Sequence, residues 1–158
     1  MQKGIATLEI ILAIMIIGVL MKFAVPKAAQ IIDAVALDYE TKRLYSELRF
    51  VQAMGSSKGI VDGAHPVLNI NRTENYYQVF KNAELVKAIR EPHYFSNGVT
   101  IKLENGNDKT ITINFDSEGK AKINTKSSDT LTLTSRRGKN KYIVIDSVGR
   151  IKGSLKNW

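Results

Sequence analysis

The residues of this chain that could do chemistry are few, and their spacing decides most of the cases. His65 and His93 are far apart, and neither has a carboxylate at metal-ligand spacing, so no metal site is expected. Asp116 and Glu118 form the kind of acidic pair used for proton transfer, but they sit in Asp116-Ser117-Glu118-Gly119, where turn chemistry accounts for them. No serine occupies a nucleophile-elbow pattern and no glycine-rich run could cradle a phosphate, so the sequence points away from an enzyme and calls for no cofactor. Asn71-Arg72-Thr73 has the form of a glycosylation sequon, a triplet too common to imply anything alone.

Glu9 is a different matter, because it is the only charged residue in an apolar run from Ile5 to Met21. At the centre of a membrane helix an acid costs roughly 2.5 to 3.5 kcal/mol, so it calls for a partner and a task. Complementing the dipole at a helix start is worth only about 0.3 to 1 kcal/mol, which does not offset that cost. As a helix, Ile5 to Val25 spans roughly 31 Å, enough to cross a bilayer core. A secretory signal would have an apolar region of about 7 to 15 residues followed by a small-x-small site, and neither description fits. A plain single-pass anchor shares the length, and only Glu9 and the short leader ending in Gly4 separate the two. Lys3 on one side is balanced by Lys22 and Lys27 on the other, so charge bias does not orient the span.

The third group is basic. The chain of 158 residues carries a net charge of +8, and the whole excess lies after Gly119, where ten Lys and Arg face only Asp129 and Asp146. Arg136, Arg137, Lys139 and Lys141 surround an expected hairpin turn, with Arg150, Lys152 and Lys156 close behind. If the strands fold back on one another, these side chains form one patch able to follow a phosphate backbone, with Tyr142 and Trp158 available to stack on bases. A solvated basic face that aids solubility or meets an acidic partner explains the same residues.

The elements that must position these groups follow from periodicity. After Pro26 the apolar pattern becomes helical, with Ile31, Val35, Leu44, Leu48 and Val51 on one side, and the helix is expected to end at Gly55-Ser56-Ser57. Pro26 removes a backbone donor and is expected to kink or interrupt the helix, with Gly18 loosening the stretch before it. From His65 onward the pattern has period two: 67–70, 76–80, 99–103, 111–115, 120–124, 131–133 and 142–145 read as strands separated by Gly, Asn and Asp turns. Residues 83–89 read as a short helix or a loop. The fold class is therefore α+β, a long N-terminal helix laid on a C-terminal antiparallel sheet or sandwich. The chain divides into a leader (1–4), an apolar helix half (5–25), an amphipathic half (26–56) and a β head (57–158). With no cysteine, neither a disulfide framework nor a thiolate metal site can form.

A short basic leader ending in Gly4, with Glu9 fifth from Ile5, resembles the type IV pilin and pseudopilin family. Gly18 and Pro26 stand where many of its members carry a helix-loosening Gly and a Pro. The order Ile5-Ala6-Thr7-Leu8-Glu9 departs from the usual Phe-Thr-Leu-Ile-Glu while keeping the Gly-to-Glu separation. The resemblance implies cleavage between Gly4 and Ile5 by a prepilin peptidase and N-methylation of Ile5. It also implies assembly through Glu9, with partners that are other pilins and an inner-membrane assembly platform. The subunit would reside as a single-pass protein of the inner membrane with its head outside the cytoplasm, then in a pilus or pseudopilus. Residues 44–54 and Gly149-Arg150-Ile151-Lys152 are similar to the H-type (GspH/FimT) minor pseudopilins and minor pilins. In the FimT-like members a Gly-Arg-x-Arg motif is implicated in DNA uptake, which makes Arg136, Arg137, Lys139, Lys141, Arg150 and Lys152 candidate DNA contacts. Here Lys152 replaces the second Arg, keeping the charge and losing a planar fork for phosphate.

Overall fold

The computed structural model describes residues 2–56, 65–81, 87–104, 106 and 108–153, with helix side chains from Leu8 onward. A single helix, α1 (Gln2–Gly55), precedes nine strands. These are β1 (Val67–Asn71), β2 (Tyr76–Phe80), β3 (His93–Tyr94), β4 (Thr100–Leu103), β5 (Thr110–Phe115), β6 (Ala121–Ile123), β7 (Asp129–Thr134), β8 (Asn140–Ile145) and β9 (Ile151–Gly153). With 54 residues, α1 is about 80 Å long at ~1.5 Å per residue. It runs through Pro26 as one helix, so the interruption expected there does not occur. Proline deletes only the bond from its own nitrogen to the Lys22 carbonyl, and the intact turns on either side carry the helix across.

The strands form two antiparallel sheets, ordered β3-β2-β1-β5-β6 and β4-β7-β8-β9. Register follows the apolar alternation. Leu68 and Ile70 of β1 sit opposite Val79 and Tyr77 of β2 on one side and Ile113 and Ile111 of β5 on the other. In the second sheet Leu131 pairs with Leu103 and Ile143, and Ile145 pairs with Ile151. A one-residue slip would turn each of these rows to solvent, so burial fixes the pairing. The helix contacts β1 and β5 of one sheet and β7, β8 and β9 of the other. Leu37, Leu44, Leu48 and Val51 close the core between them, with Leu44, Leu48 and Val51 wholly buried. Truncating one such leucine to alanine typically costs about 2–5 kcal/mol.

Two helix residues expected in the core are not there. Ile31 and Val35 are 58% and 61% exposed, and burial begins at Ala36. The amphipathic stripe is real, but the head reaches only partway along it. The seven strand segments are observed with small shifts at their ends; β3 and β9, of two and three residues, are additional. Residues 82–86 of the segment read as a helix or loop lie outside the described residues, and Ala88 forms an isolated antiparallel bridge with Phe80. At the far end of the helix a Cβ on Gly55 would lie 2.7 Å from the Phe115 carbonyl oxygen. Glycine is needed there because the helix end seats directly on the β5 backbone.

Candidate functional site

The apolar helix half is bare. From Leu8 to Ile32 every side chain is exposed apart from half-buried Ala29, and this stretch holds a window of mean hydropathy 2.5. Composition and length suffice to cross a membrane. Glu9, Gly18 and Pro26 all lie on this free stretch, and a Cβ on Gly18 would touch nothing within 4 Å. Gly4 and Ile5 belong to the first turns of α1, but their side chains lie outside the described residues.

The basic residues are placed by three turns of one design: Asp116-Ser117-Glu118-Gly119-Lys120, Ser135-Arg136-Arg137-Gly138-Lys139 and Asp146-Ser147-Val148-Gly149-Arg150. In each, the first residue's N–H donates to the fifth carbonyl and the glycine N–H donates back to the first carbonyl. The glycines have φ of +79°, +80° and +81°, a region costly for residues with a Cβ. The first side chain caps the turn: Asp116 Oδ1 accepts from the Glu118 and Lys120 amides, Ser135 Oγ from Lys139, and Asp146 Oδ1 from Val148 and Arg150. Gly149-Arg150 is thus the end of a hairpin turn, and its glycine has a second constraint. A Cβ there would fall 1.7 Å from the Gly119 carbonyl oxygen. Gln52 of the helix ties the two turns together, its Nε2 donating to the Gly149 carbonyl at 2.6 Å and the Gly119 carbonyl at 3.3 Å.

These turns split the six candidate DNA contacts rather than joining them. Arg136, Arg137 and Lys139 lie in the turn before β8, and Arg150 in the turn after it, so about 17 Å of strand separates the two groups. Lys141 points inward to the helix, whereas Lys152 sits opposite outward-facing Val144. Several of the cations are also committed. Arg137 Nε is 2.8 Å from Asp33 Oδ2, Lys141 binds Asp38, and Arg150 Nε is 2.7 Å from Asp146 Oδ2. Hydrogen bonds from Lys141 and then Lys42 hold the Asp38 carboxyl below its ordinary range. Burial works against the Asp146 carboxylate, but the Arg150 and Val148 hydrogen bonds outweigh it and lower its pKa too. Strand β8 thus connects the two groups end to end and keeps the Ser135 and Asp146 turns at its opposite ends.

One cluster escaped sequence reading. Glu40 is fully buried on the helix, with Oε2 2.8 Å from His93 Nε2 and Oε1 accepting from the Ser96 amide at 3.0 Å and the Ser96 hydroxyl at 2.6 Å. His93 does have a carboxylate partner, then, supplied from 53 residues away by tertiary folding. Nearby, Arg90 Nη1 meets Glu47 at 2.6 Å while its guanidinium covers the Phe50 ring at 4.0 Å. No group of three metal-ligating side chains occurs among the described residues. This cluster pins the β2–β3 edge to the helix; the helical position of Glu40 between Leu37 and Leu44 was the only available signal.

A long helix half bare and half clasped by two antiparallel sheets defines a type IV pilin-like fold. The chain is similar in structure to the type IV minor pilin FimU of Pseudomonas aeruginosa, with a TM-score of 0.51 at 14% identity over 72% of this chain and 89% of that one. No family model matches the sequence, and no curated protein matches it.

Proposed function

We propose that this chain is a structural subunit of a type IV pilus or a type II secretion pseudopilus, a minor one of the H-type or FimT-like group. The observation that carries the reading is an exposed apolar helix of membrane-spanning length, bearing a lone Glu9, on a head of type IV pilin-like fold. A prepilin peptidase cuts after Gly4, and the freed amine of Ile5, methylated, keeps its positive charge. In lipid that cation and the Glu9 carboxylate of a neighbouring subunit are each costly alone and far less costly together, so the pairing sets the register of assembly. Gly18 and Pro26 are the positions where the helix can lose local structure as it packs. Before assembly the subunit sits in the inner membrane with its head outside the cytoplasm, and its partners are other pilins, the peptidase and the assembly platform.

Mass analysis of the amino terminus, on protein recovered from membranes with and without the peptidase, tests the scheme. A peptidase-dependent start at Ile5 is expected; an intact Met1 or a cut near Ala28 would refute it. Glu9→Gln should enter the membrane normally yet fail to join filaments, and normal incorporation would remove the pairing mechanism.

A further inference from the structure

Lys139, at the end of the Ser135–Lys139 turn, closes a shallow cleft of ≈ 290 Å³ whose other walls are Lys27, Gln30, Ile31, Ala34 and Val35 of the helix. Those five positions recur at the spacing of a single helix face, apolar at its centre with a lysine on each side. Ile31 and Val35 are the two apolar residues that miss the core. Asp33, the only acid between Lys22 and Val35, is taken up by Arg137. Among the described residues, no carboxylate pairs with Lys27 or Lys139.

The cleft stands clear of the bilayer. With the apolar run filling the hydrocarbon up to Val25, Ile31 lies about 9 Å and Val35 about 15 Å above it at ~1.5 Å per residue, beyond a headgroup layer roughly 5–8 Å deep. Lipid therefore does not cover these walls. A fitting occupant is apolar, stands outside the membrane at this height and carries a negative charge at one point. The chain presents one such surface itself. Glu9 is the lone acid on the exposed apolar stretch, and Leu12, Ala13 and Ile16 follow it on the same helix face.

We propose that the cleft receives the Glu9 face of a second copy of this chain, parallel to the first and raised by one thickness of the bilayer core. Bringing Glu9 level with residues 27–35 takes an axial offset of roughly 27–39 Å, and the hydrocarbon is about 30 Å thick. With Glu9 level with Ile31, Leu12 and Ala13 of the raised copy come level with Ala34 and Val35, and the carboxylate lies between Lys27 and Lys139. The acid thus meets two ammonium groups at the height where it has left the lipid, and the apolar walls of the cleft are covered by the residues that follow it. Lysine stems lie along apolar surface while their charges reach its edge, which suits this arrangement. The proposal rests on the membrane-spanning reading above and gives Glu9 a further partner besides the Ile5 amine; a carboxylate has two oxygens and serves both.

The test uses the full chain, which has no cysteine and so accepts single thiols cleanly. Two differently tagged copies are expressed together, one with Ala13→Cys and the other with Val35→Cys, and disulfides are formed by mild oxidation of the assembled material. We expect a 13–35 heterodimer and none between Ala13→Cys and Ser147→Cys, which lies at the other end of β8. A hydrogen bond to a charged group is worth a factor of about ten or more, so Lys27→Gln with Lys139→Gln in the receiving copy should lower the 13–35 yield by at least that factor. The charge-keeping pair Lys27→Arg with Lys139→Arg should retain it, and unchanged circular dichroism of both double variants excludes a folding defect. Absence of the 13–35 product, an equal 13–147 product, or a yield indifferent to the two lysines overturns the proposal. The premises fail separately. Glu9→Gln blocking incorporation while the glutamine pair leaves cross-linking intact sinks only the cleft contact, whereas an Ile14→Cys in membranes that reacts with aqueous maleimide sinks the membrane-spanning reading with it.

Discussion

Gly149→Ala and Gly138→Ala place the same methyl group at the same point of the same kind of turn, with φ of +81° and +80°, in different surroundings. At Gly138 nothing lies within 4 Å of the added carbon, so the variant meets only the left-handed backbone penalty, about 1–2 kcal/mol. At Gly149 the carbon would fall 1.7 Å from the Gly119 carbonyl oxygen and 2.8 Å from its carbon, both backbone atoms that no rotamer change can move. The turn must withdraw, and Gln52 then loses one of its two acceptors. Forced overpacking of this kind costs typically 1–3 kcal/mol more, giving a total of about 2–5 kcal/mol. Urea unfolding of the full chain in detergent, followed by circular dichroism of the sheets with matched slopes, measures both. Equal destabilisation by the two substitutions would refute the claim that contact between the Asp116 and Asp146 turns, rather than turn geometry alone, demands glycine at 149.

Glu40→Ala should lower head stability by about 1–3 kcal/mol, because it removes a wholly buried carboxylate that accepts from the Ser96 amide and hydroxyl and faces the His93 imidazole; the same unfolding assay reads it, and a neutral result would show that the cluster contributes nothing. Asp38 gives a pH signature. Its folded pKa lies below the ordinary 3.8, so its contribution is complete above about pH 4 and is lost as pH falls through the lower folded value. Asp38→Asn should therefore cost about 1 kcal/mol at neutral pH, with the gap to the parent chain closing in acid; a gap independent of pH would remove the ion pairs with Lys141 and Lys42 as its source.

The large elements were legible because burial imposes its period on the sequence. Leu44, Leu48 and Val51 mark a helix stripe, and the alternations at 67–70, 111–115 and 131–133 mark strands with one buried face. The missed strands are those too short to show a period. For β9 another signal was present: Asp146-Ser147-Val148-Gly149-Arg150 repeats the plan of Asp116-Ser117-Glu118-Gly119-Lys120, and a matching turn implies a strand after it. The extent of the core along the helix was not legible, since Ile31 and Val35 continue the stripe beyond the head. Nor was the pairing of Glu40 with His93, which no local rule could supply. The division of the basic residues follows from β8 alone, whose length puts the Ser135 and Asp146 turns at opposite poles of the head.

From Ala36 to Gly55 the stem is gripped along about 30 Å by side chains of both sheets and by the Glu40, Arg49 and Gln52 hydrogen bonds. A pull along the helix axis loads all of those contacts side by side, so they resist in shear and cannot yield one at a time as in peeling. Traction applied at the bare apolar end would thus move stem and head as a single mechanical unit.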